Sequence, residues 1–271
     1  MVRGVFILSA LALVCGTMQT ATAQQEVYFN DFENPSNPLS EWSSTSKDTT
    51  PIGCSTCTTF LGRFSRDTMS LKLTDLPQHT SVTLSFDLFV IQTWDGNNTT
   101  HGPDVWELSV DGGPTLLHTT FSNAFPSETS FGQAYPDEFP GGDNPGLTGA
   151  VESDTLGYTD HSGYSGANDS VYRLVFTFPH TASTLRLHFS GAGLKGGGNE
   201  SWGLDNVEVS ISPVVGGSVS GVSPQRVICL NVTTGQRVVI RDSATLWNCE
   251  AAGLIVNTGD IIRQTVRGTA Y

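Results

Sequence analysis

Apolar and polar residues alternate with a period of two along most of this chain, and helical periodicity is almost absent. Val82, Leu84, Phe86, Leu88 and Val90 share one face, with Thr83, Ser85 and Asp87 on the other. Trp106, Leu108 and Val110 repeat the pattern and run into the turn residues Asp111-Gly112-Gly113. Tyr172, Leu174, Phe176 and Phe178 form a further row ended by Pro179. Leu185, Leu187 and Phe189 make another, as do Val207, Val209 and Ile211. Strands at this density, joined by Gly, Pro and Asn turns, predict an all-β fold, an antiparallel sandwich or jelly roll.

Between Ser122 and Asn168 the alternation fails. A loop of that length inside a compact domain is either functional or partly disordered. The pattern stops again after Ile211, where Pro213 and a Gly/Ser/Val stretch read partly as linker and partly as a first small strand. Beyond it, strands are expected over residues 227–232, 236–240, 254–256 and 261–266. The sequence therefore divides into a jelly-roll domain over 24–212 and a small β-module over 213–271. Residues 1–23 carry Arg3, a short apolar run and Ala21-Thr22-Ala23, the pattern of a cleaved export signal. No segment holds the ~20 apolar residues of a membrane-spanning helix.

Charge and cysteines refine the picture. With 13 Lys+Arg against 26 Asp+Glu, the net charge of −13 argues against nucleic acid and anionic membrane surfaces as partners. An exported, secreted protein is expected to form disulfides. Apart from Cys15, four cysteines are available, and local pairing of Cys54 with Cys57 and of Cys229 with Cys249 is the simplest of three connectivities. The module beyond residue 213 is too small for a thick core, so a Cys229–Cys249 bridge matters most there.

Two acidic motifs carry the candidate chemistry. Asp31 and Glu33 share parity with Val27 and Phe29, and Asp205 shares parity with Val207, Val209 and Ile211. Strand alternation thus places all three on core-facing sides, where an unpaired carboxylate costs several kcal/mol. Few basic residues lie nearby, so a bound hard cation, Ca²⁺, is expected where the first and last strands meet. A second candidate is the loop Trp94, Asp95, Asn97, Asn98 with Asp104. An exposed indole beside amides and carboxylates is how proteins hold sugars. Trp106, at inward parity, reads as core.

Asn30-Asp31-Phe32-Glu33 together with Ser201-Trp202-Gly203-Leu204-Asp205-Asn206-Val207 resembles secreted bacterial β-jelly-roll modules of the MAM, concanavalin-like, laminin-G-like and carbohydrate-binding kinds. The resemblance implies a structural cation held by Asp31, Glu33 and Asp205. Catalytic signals are weak. Gly163-Tyr164-Ser165-Gly166 misses the nucleophile elbow, Asp160-His161-Ser162 are merely adjacent in sequence, and Glu107 and Asp111 stand roughly 13 Å apart on one strand, too far for a retaining glycosidase pair. The expectation is a secreted, non-catalytic module, extracellular or at the cell surface, that binds extracellular polysaccharide or glycoprotein. The alternatives are an adhesive surface protein with protein partners and, less favoured, a carbohydrate-active enzyme.

Overall fold

The computed structural model describes residues 13–20, 24–159, 165–196, 198–214, 216–218, 222–241, 246–257 and 259–270. In chain order the strands are β1 (Leu13–Thr20), β2 (Gln25–Asn30), β3 (Lys47–Thr49), β4 (Thr59–Phe64), β5 (Thr68–Leu73), β6 (His79–Gln92), β7 (Val105–Val110), β8 (Thr115–Thr120) and β9 (Glu152–Ser153). They continue with β10 (Asp169–Pro179), β11 (Leu185–Ala192), β12 (Glu200–Pro213), β13 (Gly216–Ser218), β14 (Val222–Asn231), β15 (Arg237–Arg241), β16 (Leu246–Asn248) and β17 (Ile261–Ala270). One 3₁₀ turn among the described residues, Thr129–Phe131, interrupts the β structure. Among the described residues, no helix is long and apolar enough to cross a membrane.

The chain forms two compact units, one of residues 26–77 and 81–211, the other of 1–25, 78–80 and 212–271. The larger is an antiparallel sandwich. Its seven-stranded sheet runs β3-β4-β12-β6-β10-β9 with β2 also on β12, and its four-stranded sheet runs β5-β11-β7-β8. One apolar core joins the sheets. Val82, Leu84, Phe86, Leu88 and Val90 of β6 meet Trp106 and Leu108 of β7, Leu187 and Phe189 of β11, and Trp202 and Leu204 of β12. Burying side chains of this size at roughly 1.5–3 kcal/mol each is the main force closing the sandwich. The alternating rows seen in the sequence are these inward faces.

The irregular stretch after Ser122 packs closely over much of its length. Ala124, Gln133, Ala134, Leu156 and Tyr158 are buried. Leu156 and Tyr158 fold over the outer face of the large sheet, forming a second small core with Phe60, Phe89, Ile91 and Val171. That core explains why Phe89 and Ile91 break the polar side of the β6 alternation. Residues 160–164, which include Asp160, His161 and Ser162, lie outside the described residues.

The smaller unit holds the four-stranded sheet β1-β17-β14-β15 and the pair β13-β16. Leu13–Thr20, within the segment that reads as an export signal, pairs antiparallel with β17. Val227, Cys229, Trp247, Cys249, Leu254, Ile262 and Val266 form its core. The expected strand over 254–256 is absent. No regular element occupies it, while Leu246–Asn248 makes a strand that the alternation does not reveal. Both expected disulfides are formed, Cys54–Cys57 and Cys229–Cys249. The second closes a loop of 20 residues between two fully buried cysteines. Replacing this pair by alanines is expected to cost the small unit about 3 kcal/mol. Calorimetry checks this, with a transition for the small unit well below that of the large one as the expected outcome.

Candidate functional site

β2 lies beside β12, so the two acidic motifs are neighbours, but their carboxylates do not point into the core. Asn30 and Phe32, the latter at φ 55°, are the buried residues of their motif, while Phe29 is 48% exposed. The inward parity at this strand end therefore belongs to Tyr28, Asn30 and Phe32, and Asp31 and Glu33 fall on the opposite side. The expectation is corrected at Asp205 too. Core residues of β12 run Trp202, Leu204, then Val207, Val209, Ile211, a slip of one residue centred on Asn206 at φ 49°. A bulge of this kind turns a strand's side chains over, and Asp205 leaves the core row with it.

Glu33 and Asp205 do converge, on the hydroxyl of Thr58. Thr58 Oγ1 lies 2.6 Å from Glu33 Oε1 and 2.8 Å from Asp205 Oδ2. Glu33 Oε1 also accepts the Thr59 amide, and Asp205 Oδ1 accepts that of Asn206. Asp31 stays apart, its Oδ1 accepting the Glu33 amide. A hydroxyl has one proton, so Thr58 can donate to only one of its two carboxylate neighbours. The arrangement is satisfied when Thr58 donates to an ionised Glu33 and a protonated Asp205 donates to Thr58. Ionisation tendencies agree. The Thr58 and Thr59 bonds hold Glu33 below the ordinary glutamate range. Burial, with the charges of Asp87 and Glu33 nearby, pushes Asp205 up to about 7 against its hydrogen bonds.

The Trp94 loop also departs from expectation. Trp94 is 0% exposed and its indole N–H donates to the Ser201 carbonyl at 2.9 Å, so it is not a platform for sugar stacking. Asn97 and Asn98 serve the loop's own architecture. Asn97 Oδ1 accepts the Thr120 hydroxyl at 2.5 Å, and Asn98 Oδ1 accepts the amides of Thr100 and His101. Gly96, at φ 61°, sits where a Cβ would lie 2.2 Å from the Gly132 carbonyl, so only glycine lets the loop close this tightly.

Asp95 and Asp104 are drawn inward instead, and meet Glu200. Among the described residues these three carboxylates have ligand atoms that all lie within 4.8 Å of one another. The Asp95 amide donates to Asp104 Oδ2, the Asp104 amide to the Gly96 carbonyl, and the Lys195 amide to Glu200 Oε2. Lys195 Nζ lies 2.6 Å from Asp95 Oδ2 and 3.0 Å from Glu200 Oε1. Burial first, then the charge of Glu200, pushes the Asp104 carboxyl up to about 8. Glu200 opens β12 beside the other motif's Trp202-Gly203-Leu204, but no sequence pattern linked it to Asp95 across 105 residues.

Glu107 and Asp111 each pair with a histidine on the neighbouring strand, His118 at 3.0 Å and His188 at 3.8 Å. Sequence reasoning also missed a groove of about 490 Å³ on the outer face of the large sheet. Phe29, Ser85, Asp87, Arg173, Val175, Asn206 and Glu208 line it. Asp87 organises its floor, receiving Arg173 Nε at 2.9 Å and Asn206 Nδ2 at 3.0 Å. A second groove of about 470 Å³ continues past Arg173 and Val175 to Leu116, Tyr135 and Glu138. Its only sequence signal is the polar side of the β6 and β10 alternation.

No family model matches the sequence, and no curated protein matches it. Among solved structures, the chain is similar to dimeric latent PorU from Porphyromonas gingivalis, at 11% identity and a TM-score of 0.34, over 97% of this chain and 21% of that one. It is also similar to the VP2 subviral particle of infectious bursal disease virus, at 9% identity and a TM-score of 0.21, over 95% of this chain and 42% of that one. The chain thus spans less than half of either protein.

Proposed function

We propose that the larger unit is a non-catalytic binding module for an extracellular polysaccharide or glycoprotein glycan, and that the outer groove of its seven-stranded sheet takes the ligand. The observation that carries this reading is an exposed aromatic ring beside a fixed polar row. Phe29 offers an apolar face, and Asp87, Arg173, Asn206 and Glu208 offer donors and acceptors at spacings set by paired strands. Sugars present both an apolar ring face and a rim of hydroxyls, and sites that hold them combine both kinds of contact. Continuation of the groove past Val175, itself exposed, suits an extended chain better than a single sugar. The two disulfides are compatible with an oxidising, extracellular setting.

A glycan array probed with the full chain, followed by titration of the best ligand, tests the reading. Phe29→Ala is expected to weaken binding by roughly five- to ten-fold, the loss of one good stacking contact of about 1–1.4 kcal/mol. Stability should hardly change, because the ring is half exposed. Binding to no glycan, or binding that Phe29→Ala leaves intact, would remove the groove from consideration. Retention of a protein partner in place of any glycan would favour the adhesive alternative.

A further inference from the structure

We propose that Asp95, Asp104 and Glu200 hold a hard divalent cation of the calcium class at the end of the sandwich where two crossovers between its sheets touch. The topology brings them there. The connection from β6 to β7 leaves the seven-stranded sheet for the four-stranded one, and carries Asp95 and Asp104. The connection from β11 to β12 makes the reverse journey, carries Lys195 and delivers Glu200. Because β6 neighbours β12 and β7 neighbours β11, the two crossovers run side by side. Gly193, at φ 83°, presses against the Pro103 carbonyl at that junction, where a Cβ would lie 2.0 Å from the oxygen.

Charge and hydrogen bonding then point to a ligand. Three buried carboxylates face one ammonium group, and that ammonium reaches only two of them. Asp104 is 0% exposed, and its Oδ1 has no hydrogen-bond partner although it lies within the cluster. A buried carboxylate oxygen left without a donor is rare enough to need an explanation. A cation among these oxygens supplies one. All the donors are hard oxygens, which suit Ca²⁺, Mg²⁺ or Mn²⁺ and not thiophilic metals. Carboxylates on one loop and a strand end form a set that can adjust, matching the tolerant geometry of Ca²⁺ better than the strict octahedron of Mg²⁺. The Lys195 side chain is 35% exposed, so it can swing toward solvent as the divalent ion takes its place. The site shares no residue with the Phe29 groove and stands independently of the glycan reading.

The experiment is equilibrium dialysis and thermal melting of the chelator-stripped full chain with Ca²⁺, and separately with Mg²⁺. Ca²⁺ at about a hundred times its Kd is expected to raise the melting midpoint of the large unit by roughly 5–10 °C. Asp104→Asn should abolish both binding and shift. Glu33→Gln should keep them, which separates this site from the Thr58 cluster. Lys195→Met is expected to bind Ca²⁺ about ten-fold more tightly, since a competing cation is gone. Should Asp104→Asn fail to fold, Glu200→Gln takes its place, with native near-ultraviolet circular dichroism as the criterion. No binding of either metal by the wild type would overturn the proposal. So would undiminished binding in folded Asp104→Asn or Glu200→Gln, loss of binding in Glu33→Gln, or weaker binding in Lys195→Met.

Discussion

Asp205→Asn is expected to equal the wild type in stability near pH 4 and to exceed it at pH 8. The reason is the single proton of Thr58, set between two carboxylate oxygens. Asp205 is 3% exposed, and its folded pKa of about 7 lies above the unfolded value of about 3.9. A carboxyl raised in this way binds its proton more tightly in the folded state. Its stabilising contribution is therefore complete below about pH 4 and is lost as pH rises through 7. The gap between the folded and unfolded values sets an upper bound of about 4 kcal/mol on that loss. An asparagine at 205 keeps a permanent N–H where the carboxyl proton sits, and still offers an oxygen to the Asn206 amide. Urea denaturation in chelator at pH 4 and pH 8 reads the difference, and Asp104 titrates alike in both proteins. A variant less stable than the wild type at pH 8 would mean that Asp205 works as an anion held by its hydrogen-bond donors, and would overturn this reading.

Trp94→Ala should cost the large unit about 3–5 kcal/mol, the range for truncating a buried aromatic residue. The ring is wholly buried, packs edge-on against Phe121 at 6.5 Å between centroids, and donates to the Ser201 carbonyl. Truncation leaves a cavity and removes the donor from a buried carbonyl. Trp94→Phe divides these losses. It fills most of the volume but orphans the carbonyl, and should cost about 1–3 kcal/mol. The measurement is again denaturant unfolding. A Trp94→Ala protein of wild-type stability that had lost affinity for a glycan would restore Trp94 as a ligand contact and contradict its burial.

The sandwich was legible because alternation records burial directly. Each apolar row in β6, β7, β10 and β11 faces the core that its parity predicts. Parity failed at β2, where Asn30 and Phe32 take the inward side and Phe29 does not, and at Asn206, where one residue with positive φ shifts the inward row. Asn206 carries a side chain, so it does not advertise the shift as a glycine would. Consequently the Asp31, Glu33 and Asp205 cluster was found in the right neighbourhood but on the wrong side. Asp95 and Asp104 were marked as chemically interesting, yet their partner Glu200 was not, because only the strand order makes them neighbours. Trp94 misled for a related reason. A tryptophan in a polar loop looks exposed, and only the path of β12 shows the carbonyl waiting for its indole.

Strand β12 has a consequence for how the larger unit comes into being. It is the last strand of that unit to leave the ribosome, yet it takes an interior place, flanked by β6 on one edge and by β2 and β4 on the other. Until residues 200–211 emerge, two blocks of the sheet wait with unsatisfied edges and no strand to join them. Assembly is thus governed by the end of the domain and not its beginning, with the slow closure expected of widely separated pairings. A chain threaded outward through a membrane from its N-terminus would stay open, and fit for passage, until almost all of the unit had crossed.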